Sequence, residues 1–306
     1  LFEAITECYL PLLQVLLGLE RDHVDAQVTL SISPTLLAML SDQMLLERYD
    51  RHLARCIELT EQECHRTRET PLLRQLPELY RRRFTAARDD LHHPQWHGDL
   101  LSRFRSLHEA GRLELITTAA THAVLPLLRP RGHRRIQLAI AATEYERFFG
   151  RPPEGLWLPE CGYDDEVAHD ARAAGFRYAV LDAHGISNAS PRPIYDVYAP
   201  VVSPSGLVLF GRDRETATQV WSATEGYPGD PWYRDFHRDI GFDRPDDEIA
   251  AFRPPGSPRV PTGIKYHRIT GATTDKALYD PARAAERVRT HATHFVAART
   301  AQVARL

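Results

Sequence analysis

The segment Gly155-Leu156-Trp157-Leu158-Pro159-Glu160-Cys161-Gly162-Tyr163 decides the fold class. Its first four residues read as a short apolar strand. Pro159 cannot donate to a strand ladder, and Gly162 breaks the chain before a helical pattern from Asp165 to Ala174. Outward from this unit, apolar runs at Leu113–Thr117, Tyr178–Leu181 and Leu207–Phe210 repeat it, with helical patterns such as Arg134–Phe149 between them. Short strands alternating with helices predict parallel βαβ units. Glu160 then falls at the carboxyl end of a parallel strand, the face on which barrels and open α/β sheets carry their chemistry. A carboxylate flanked by Trp157, Cys161 and Tyr163 suits a nucleophile or acid/base for sugar chemistry. Capping of the following helix is the competing role for Glu160.

Towards the amino end, Ala26–Ile32 reads as a strand that leads through Pro34 into a helix. A charged helical stretch follows from about Ser41 to Glu109 and has the character of an insertion. At the start of the chain Phe2, Ile5, Tyr9, Leu12, Leu13 and Leu16 keep helical spacing with no capping residue ahead of them. At the other end Asp280 and Pro281 are a good N-cap and first helical position for a helix that continues to Leu306. Both ends are therefore expected inside helices. The stretch Thr224–Gly271 is rich in Pro, Gly, Asp and aromatics, has little periodicity, and reads as long loops over a rigid scaffold.

The whole-chain arithmetic narrows the functional classes. With 306 residues the chain is long enough for one large α/β domain or two ordinary ones, and it can bury a core without disulfides or metals. Its 38 basic and 41 acidic residues are interspersed, so neither nucleic acid nor an anionic membrane is an expected partner. No stretch reads as approaching ~20 consecutive apolar residues, no signal peptide is apparent, and a cytoplasmic location is expected. Cys8, Cys56, Cys64 and Cys161 have no paired spacing and are expected as buried free thiols.

Other strand ends offer further polar groups. Leu113-Glu114-Leu115-Ile116-Thr117-Thr118 leads to Thr121-His122. Glu114 inside an apolar strand needs a partner, and a structural ion pair with an arginine is the expectation. His122 could donate to a sugar hydroxyl or serve as a satisfied core histidine. Phe210-Gly211-Arg212-Asp213 precedes Gln219-Val220-Trp221-Ser222; Asp213 and Gln219 offer groups for sugar hydroxyls and Trp221 a flat face for a pyranose ring. A surface ion pair and a buried tryptophan are the plain alternatives. His92, His93 and His97, and the pair His291 and His294, lack a recognised metal-ligand pattern, so no metal is expected. Phosphate-binding glycine loops and a Gly-x-Ser-x-Gly elbow are absent from the sequence.

Three segments together resemble glycoside hydrolase family 57, with the likeness closest to its 1,4-α-glucan branching enzymes. They are Gly111-Arg112-Leu113-Glu114 with Ala120-Thr121-His122 and Leu125-Pro126; Trp157 to Tyr163; and Gly211-Arg212-Asp213 with Gln219 to Ser222. Glu225-Gly226-Tyr227-Pro228-Gly229-Asp230, Arg238 to Gly241 and Gly263 to Arg268 support them. The resemblance implies an α/β fold: an incomplete seven-stranded (β/α) barrel with helical insertions, here lacking its first strand and the C-terminal part. One partial catalytic domain would cover 1–306, with the insertion at about 41–109 and a loop-rich cleft segment at about 211–271. It implies a retaining α-glucan transferase of glycogen synthesis that needs no cofactor, with Glu160 as nucleophile. His122, Arg212, Asp213, Trp221 and Gly229 would bind the α-glucan.

The resemblance also sets its own limits. The family's first strand bears a His-x-His pair, and its acid/base aspartate lies in an Asp-x-Glu-Leu-Phe-Gly-His-Trp segment; neither motif occurs in this sequence. The expectation is a piece of a longer enzyme with little activity alone. A 4-α-glucanotransferase or α-amylase of the same family, a non-catalytic glucan-binding piece, and a metal-dependent deacetylase on a similar barrel are the alternatives. Oligomeric state is not legible.

Overall fold

A computed structural model describes residues 1–253 and 256–305. By contacts the chain divides into two compact units. One, the sheet unit, comprises Leu10–Leu46 and Pro94–Arg214; the other, the helical unit, comprises Leu1–Tyr9, Glu47–His93 and Glu215–Leu306.

The sheet unit is built on six strands in the order β1-β2-β3-β4-β6-β5. These are β1 Val28–Ser31, β2 Leu113–Thr118, β3 Gly155–Trp157, β4 Tyr178–Leu181, β5 Val201–Val202 and β6 Val208–Gly211. All neighbours pair in parallel except β5, which closes the edge antiparallel to β6. This is the α/β fold with a mostly parallel sheet that the strand–helix alternation predicts. Strand placement follows the sequence closely, with Tyr178–Leu181 reproduced residue for residue. Two short elements carried no signal: β5, of two residues, and the helix Ala183–Ser187. Neither is long enough to show a period.

Alternation along each strand divides its side chains between two faces. Leu156, Ala179, Leu181 and Leu209 point into a core completed by Leu138 and Ala141 of the helix Arg131–Phe149 and by Val167, Ala168 and Ala171 of Asp165–Ala173. An ion cluster ties these two helices together. Asp170, with a fully buried side chain, accepts from Arg131 and from Arg134, itself 3% exposed, and Arg134 also reaches Glu166 at 2.8 Å. The helix Arg131–Phe149 ends at Gly150, whose left-handed φ of 73° suits the C-cap.

On the opposite face the expectation for Glu114 needs correction. It is exposed rather than buried, and its partners are hydroxyls rather than an arginine: Thr29 donates at 2.9 Å and Tyr178 at 2.5 Å. Tyr178 stands on β4 and reaches β2 by lying across β3 at Gly155, where a Cβ would overlap its ring. The glycine therefore permits a polar contact that spans three strands. Burial and the Glu114 hydrogen bond both push the Tyr178 phenol well above its ordinary pKa.

In the helical unit the predicted insertion resolves into long helices. Gln43–Arg66 and Pro71–Leu91 supply most of them, and Leu100–Glu109 falls in the sheet unit. Pro281–Val303 begins as expected at Asp280, whose side chain accepts from the backbone of Ala282 and Arg283; it ends at Val303 with Ala304 as its C-cap, short of the expected Leu306, which itself lies outside the described residues. The loop-rich stretch is organised by buried aspartates. Asp239, 2% exposed, accepts from the backbone of Gly241, Thr262 and Gly263 and from the Thr262 hydroxyl, at 2.8–2.9 Å. Asp230 likewise holds Trp232 and Arg287, and Asp235 holds His237 and Lys276. Such bonds satisfy backbone that has no ladder to pair with.

Two further expectations are corrected. The helical run Phe2–Arg21 is long and apolar enough, by length and composition, to cross a membrane, which a search for unbroken apolar letters overlooks because Glu3, Glu7 and Thr6 interrupt its start. Ile5, Leu10, Leu13 and Leu16 of this run are buried in the protein. Of the four thiols only Cys56 is buried; Cys8 is exposed and Cys64 and Cys161 are half-buried.

Candidate active site

The carboxyl ends of β2, β3, β4 and β6 carry the site. After Trp157 the chain turns through Pro159–Cys161, held by Cys161 N–H donating to Leu158 and Gly162 N–H to Pro159. Glu160 (φ 50°) and Cys161 (φ 54°) are left-handed, as is His122 (φ 56°) beyond β2. Among the described residues six non-glycine positions have positive φ, and three of them sit at these two adjacent strand ends. Each costs about 1–2 kcal/mol against a right-handed alternative, and such strain gathers where function over-determines the backbone. The turn projects the Glu160 side chain outward, 76% exposed. Capping is ruled out as its role, because Asp164 accepts from Val167 N–H and caps Asp165–Ala173.

His122 lies 3.8 Å from the Glu160 carboxylate, measured from Nε2 to Oε1. Its other ring nitrogen, Nδ1, is 3.2 Å from the Thr118 hydroxyl, which donates to the Trp157 carbonyl at 2.8 Å. A hydroxyl has one proton; with that proton on Trp157, Thr118 can only accept from Nδ1–H. The imidazole tautomer is thereby set, and Nε2 faces Glu160 across a gap too long for a direct hydrogen bond. A substrate hydroxyl placed there would reach both groups.

Arg212 joins from β6. Its backbone N–H donates to Leu181, and its guanidinium stands 5.7 Å from the Trp157 ring, 3.9 Å from Asp182 and 4.0 Å from the Cys161 sulfur. This holds positive charge beside the Glu160 turn. Asp213 follows it, half-buried. Beside these groups is a cavity of about 560 Å³ lined by Thr29, Ser31, Thr118, His122, Trp157 and Val180 among others. Its hydroxyls and one indole match the needs of a sugar ring, which offers hydroxyl edges and an apolar face. Thr118 and Asp182 escaped the sequence reading. Each stands at or just past the end of a strand, so the rule that singled out Glu160 would have found them had it been applied to every strand.

Trp221 and Gly229 belong to the helical unit. Trp221 ends the helix Arg214–Trp221 and is 78% exposed, against the buried alternative. At Gly229 an added Cβ would overlap the Ala223 carbonyl, so close backbone packing by itself requires glycine there. Among the described residues no group of three or more His, Cys, Asp or Glu is arranged to hold a metal. Three of the flagged histidines bond elsewhere: His92 with Asp50 at 2.8 Å, His291 with Tyr233 at 2.8 Å and His294 with Tyr227 at 2.7 Å.

A parallel sheet bearing an outward carboxylate, an oriented imidazole and a hydroxyl-lined cavity at its carboxyl edge is an arrangement suited to sugar chemistry. The family model for glycosyl hydrolase family 57 matches residues 2–299. The chain belongs to that family. It is 30% identical to the 1,4-alpha-glucan branching enzyme of Thermococcus kodakarensis over 96% of this chain and 44% of that protein. Among solved structures, the alpha-amylase AmyC of Thermotoga maritima superposes with a TM-score of 0.91 at 40% identity, covering 99% of this chain and 58% of that one. The branching enzyme of Pyrococcus horikoshii gives 0.81 at 30% identity, covering 97% and 53%. The chain thus spans about half the length of the relatives it matches.

Proposed function

We propose that this chain carries the nucleophile-bearing part of a retaining α-glucan transferase of the branching type, which cleaves an α-1,4 bond and forms an α-1,6 bond. The observation that carries the reading is Glu160: a carboxylate on left-handed backbone at a strand's carboxyl end, 3.8 Å from an oriented imidazole. In the first step a Glu160 oxygen attacks the anomeric carbon of the donor glucosyl residue. The C1–O4 bond breaks, and a carboxylic acid about 5–5.5 Å from the nucleophile protonates the departing oxygen. The covalent glycosyl-enzyme then transfers its chain to the 6-hydroxyl of an acceptor glucan, which gives its proton to that same second carboxylate. No residue of this chain is assigned as that acid. His122 and Arg212 contact donor hydroxyls, Trp157 lies against the ring, and Asp213 extends the contacts along the glucan. Glycogen synthesis in the cytoplasm is the setting this reaction suits.

The test is linkage analysis of products from amylose, made by the complete protein that contains this chain. New α-1,6 bonds are expected. Glu160→Gln should lower their formation by at least about 10³-fold, since it removes one of two groups that act as a unit, while leaving thermal stability nearly unchanged because Glu160 is exposed. Products with only α-1,4 bonds would overturn branching in favour of a second reading, a 4-α-glucanotransferase or α-amylase, which the likeness to AmyC favours. Undiminished activity of Glu160→Gln would overturn both.

A further inference from the structure

We propose that the helical unit holds a second ligand site, for an organic phosphate: a ring-bearing molecule of about nucleotide size whose phosphates are gripped by arginines. The helix Gln43–Arg66 presents Arg48, Arg51 and Arg55 on successive turns, so that they share one face. That face borders a cavity of about 450 Å³, within the size range of small-molecule sites. Arg253 stands on the same rim, and not one lining residue is acidic.

Two acidic groups of this helix are directed elsewhere. Asp50 bonds Arg88 and His92, and Glu63 bonds Arg66 and Tyr266. Arg253 is paired with Asp246 at 2.7 Å. Among the described residues no ion pair or hydrogen bond engages the side chains of Arg48, Arg51 or Arg55. Three unpaired guanidinium groups on one face match the geometry of phosphate oxygens, which they hold in bidentate fashion.

The rest of the cavity is apolar. Phe2, Leu59, Ile249, Phe252 and Val260 line it, and the Phe2 ring lies 5.4 Å from the His52 ring. An inorganic anion would leave this surface bare. A planar ring attached to the phosphates would cover it, which is why the site calls for an organic phosphate. The floor is chemically quiet, since burial pushes the Cys56 thiol up to about 12 and keeps it protonated.

Titration calorimetry of the complete protein that contains this chain, with ADP, adenosine and inorganic phosphate, tests the proposal. ADP should bind saturably below about 1 mM, and adenosine and phosphate should each bind at least tenfold more weakly. The double variant Arg51→Ala/Arg55→Ala should weaken ADP at least tenfold, whereas Arg82→Ala, an exposed arginine outside the cavity, should not. If the double variant fails to fold, Arg51→Lys, which keeps the charge and loses the fork, should weaken ADP severalfold. Absence of saturable ADP binding, equal affinity for phosphate or adenosine, or indifference of ADP binding to these substitutions would overturn it.

Discussion

At the scale of single residues, the site depends on one hydroxyl. Thr118 connects His122 to the Trp157 carbonyl, and so links the ends of two strands while choosing which imidazole nitrogen faces Glu160. Thr118→Val keeps the shape and removes both bonds. It should cost about 1 kcal/mol of stability, the net worth of a typical hydrogen bond. Nitrogen chemical shifts of His122 should move from a single Nδ1–H tautomer to a mixture; unchanged shifts would show that the hydroxyl does not set the proton. Glu160 was legible in the sequence because Pro159 and Gly162 bracket it at a strand end. Its proximity to His122 was not, since 38 residues separate the two and only parallel pairing of β2 with β3 brings their ends together.

At the scale of elements, β3 is the shortest of the parallel strands and lies at the centre of the sheet. Gly155 lets Tyr178 pass over it to Glu114, so a side chain there must displace the tyrosine. Gly155→Ala should therefore destabilise the protein by about 1–3 kcal/mol, the usual cost of overpacking. Adding Tyr178→Phe should cost less in that background than alone, because the contact is already lost. A double-mutant cycle in chemical denaturation reads this directly, and strict additivity would count against the coupling. Strands of this sheet were legible because buried parallel strands are short apolar runs between turn residues. Glu114 was misread for the same reason: within such a run it appears buried, although its face of the sheet is open to solvent at that position.

At the scale of the whole molecule, both units contain carboxylates held in the charged form by arginines, which makes acid the condition to which stability is most sensitive. Burial pushes the Asp170 pKa up, but hydrogen bonds and charge from Arg131 and Arg134 outweigh it and the group ends below its ordinary 3.8. Glu7 behaves likewise in the helical unit, where burial is overcome by Arg234 and Arg83 and the pKa falls below 4.5. A depressed carboxylate pKa stabilises the fold fully above its unfolded value, and that contribution is lost as pH falls through the folded value. Urea midpoints should therefore be level near neutrality and fall below about pH 4.5. Asp170→Asn should lower the midpoint at pH 7 and flatten the slope below pH 4. An equally steep slope in that variant would place the acid sensitivity elsewhere.

The sequence by itself determined the parallel α/β layout, the strand ends and the residue types available for sugar chemistry. These rest on local period, on proline and glycine, and on motifs within a few residues of one another. Tertiary structure alone decided which of those residues meet. It placed Glu160, His122 and Arg212 together in the sheet unit, assigned Trp221 and Gly229 to the helical unit, gave Glu114 hydroxyl partners, and aligned three unpaired arginines beside an apolar cavity. Those outcomes depend on parallel register and on which carboxylates each arginine can reach, and neither is written in the spacing of residues along the chain.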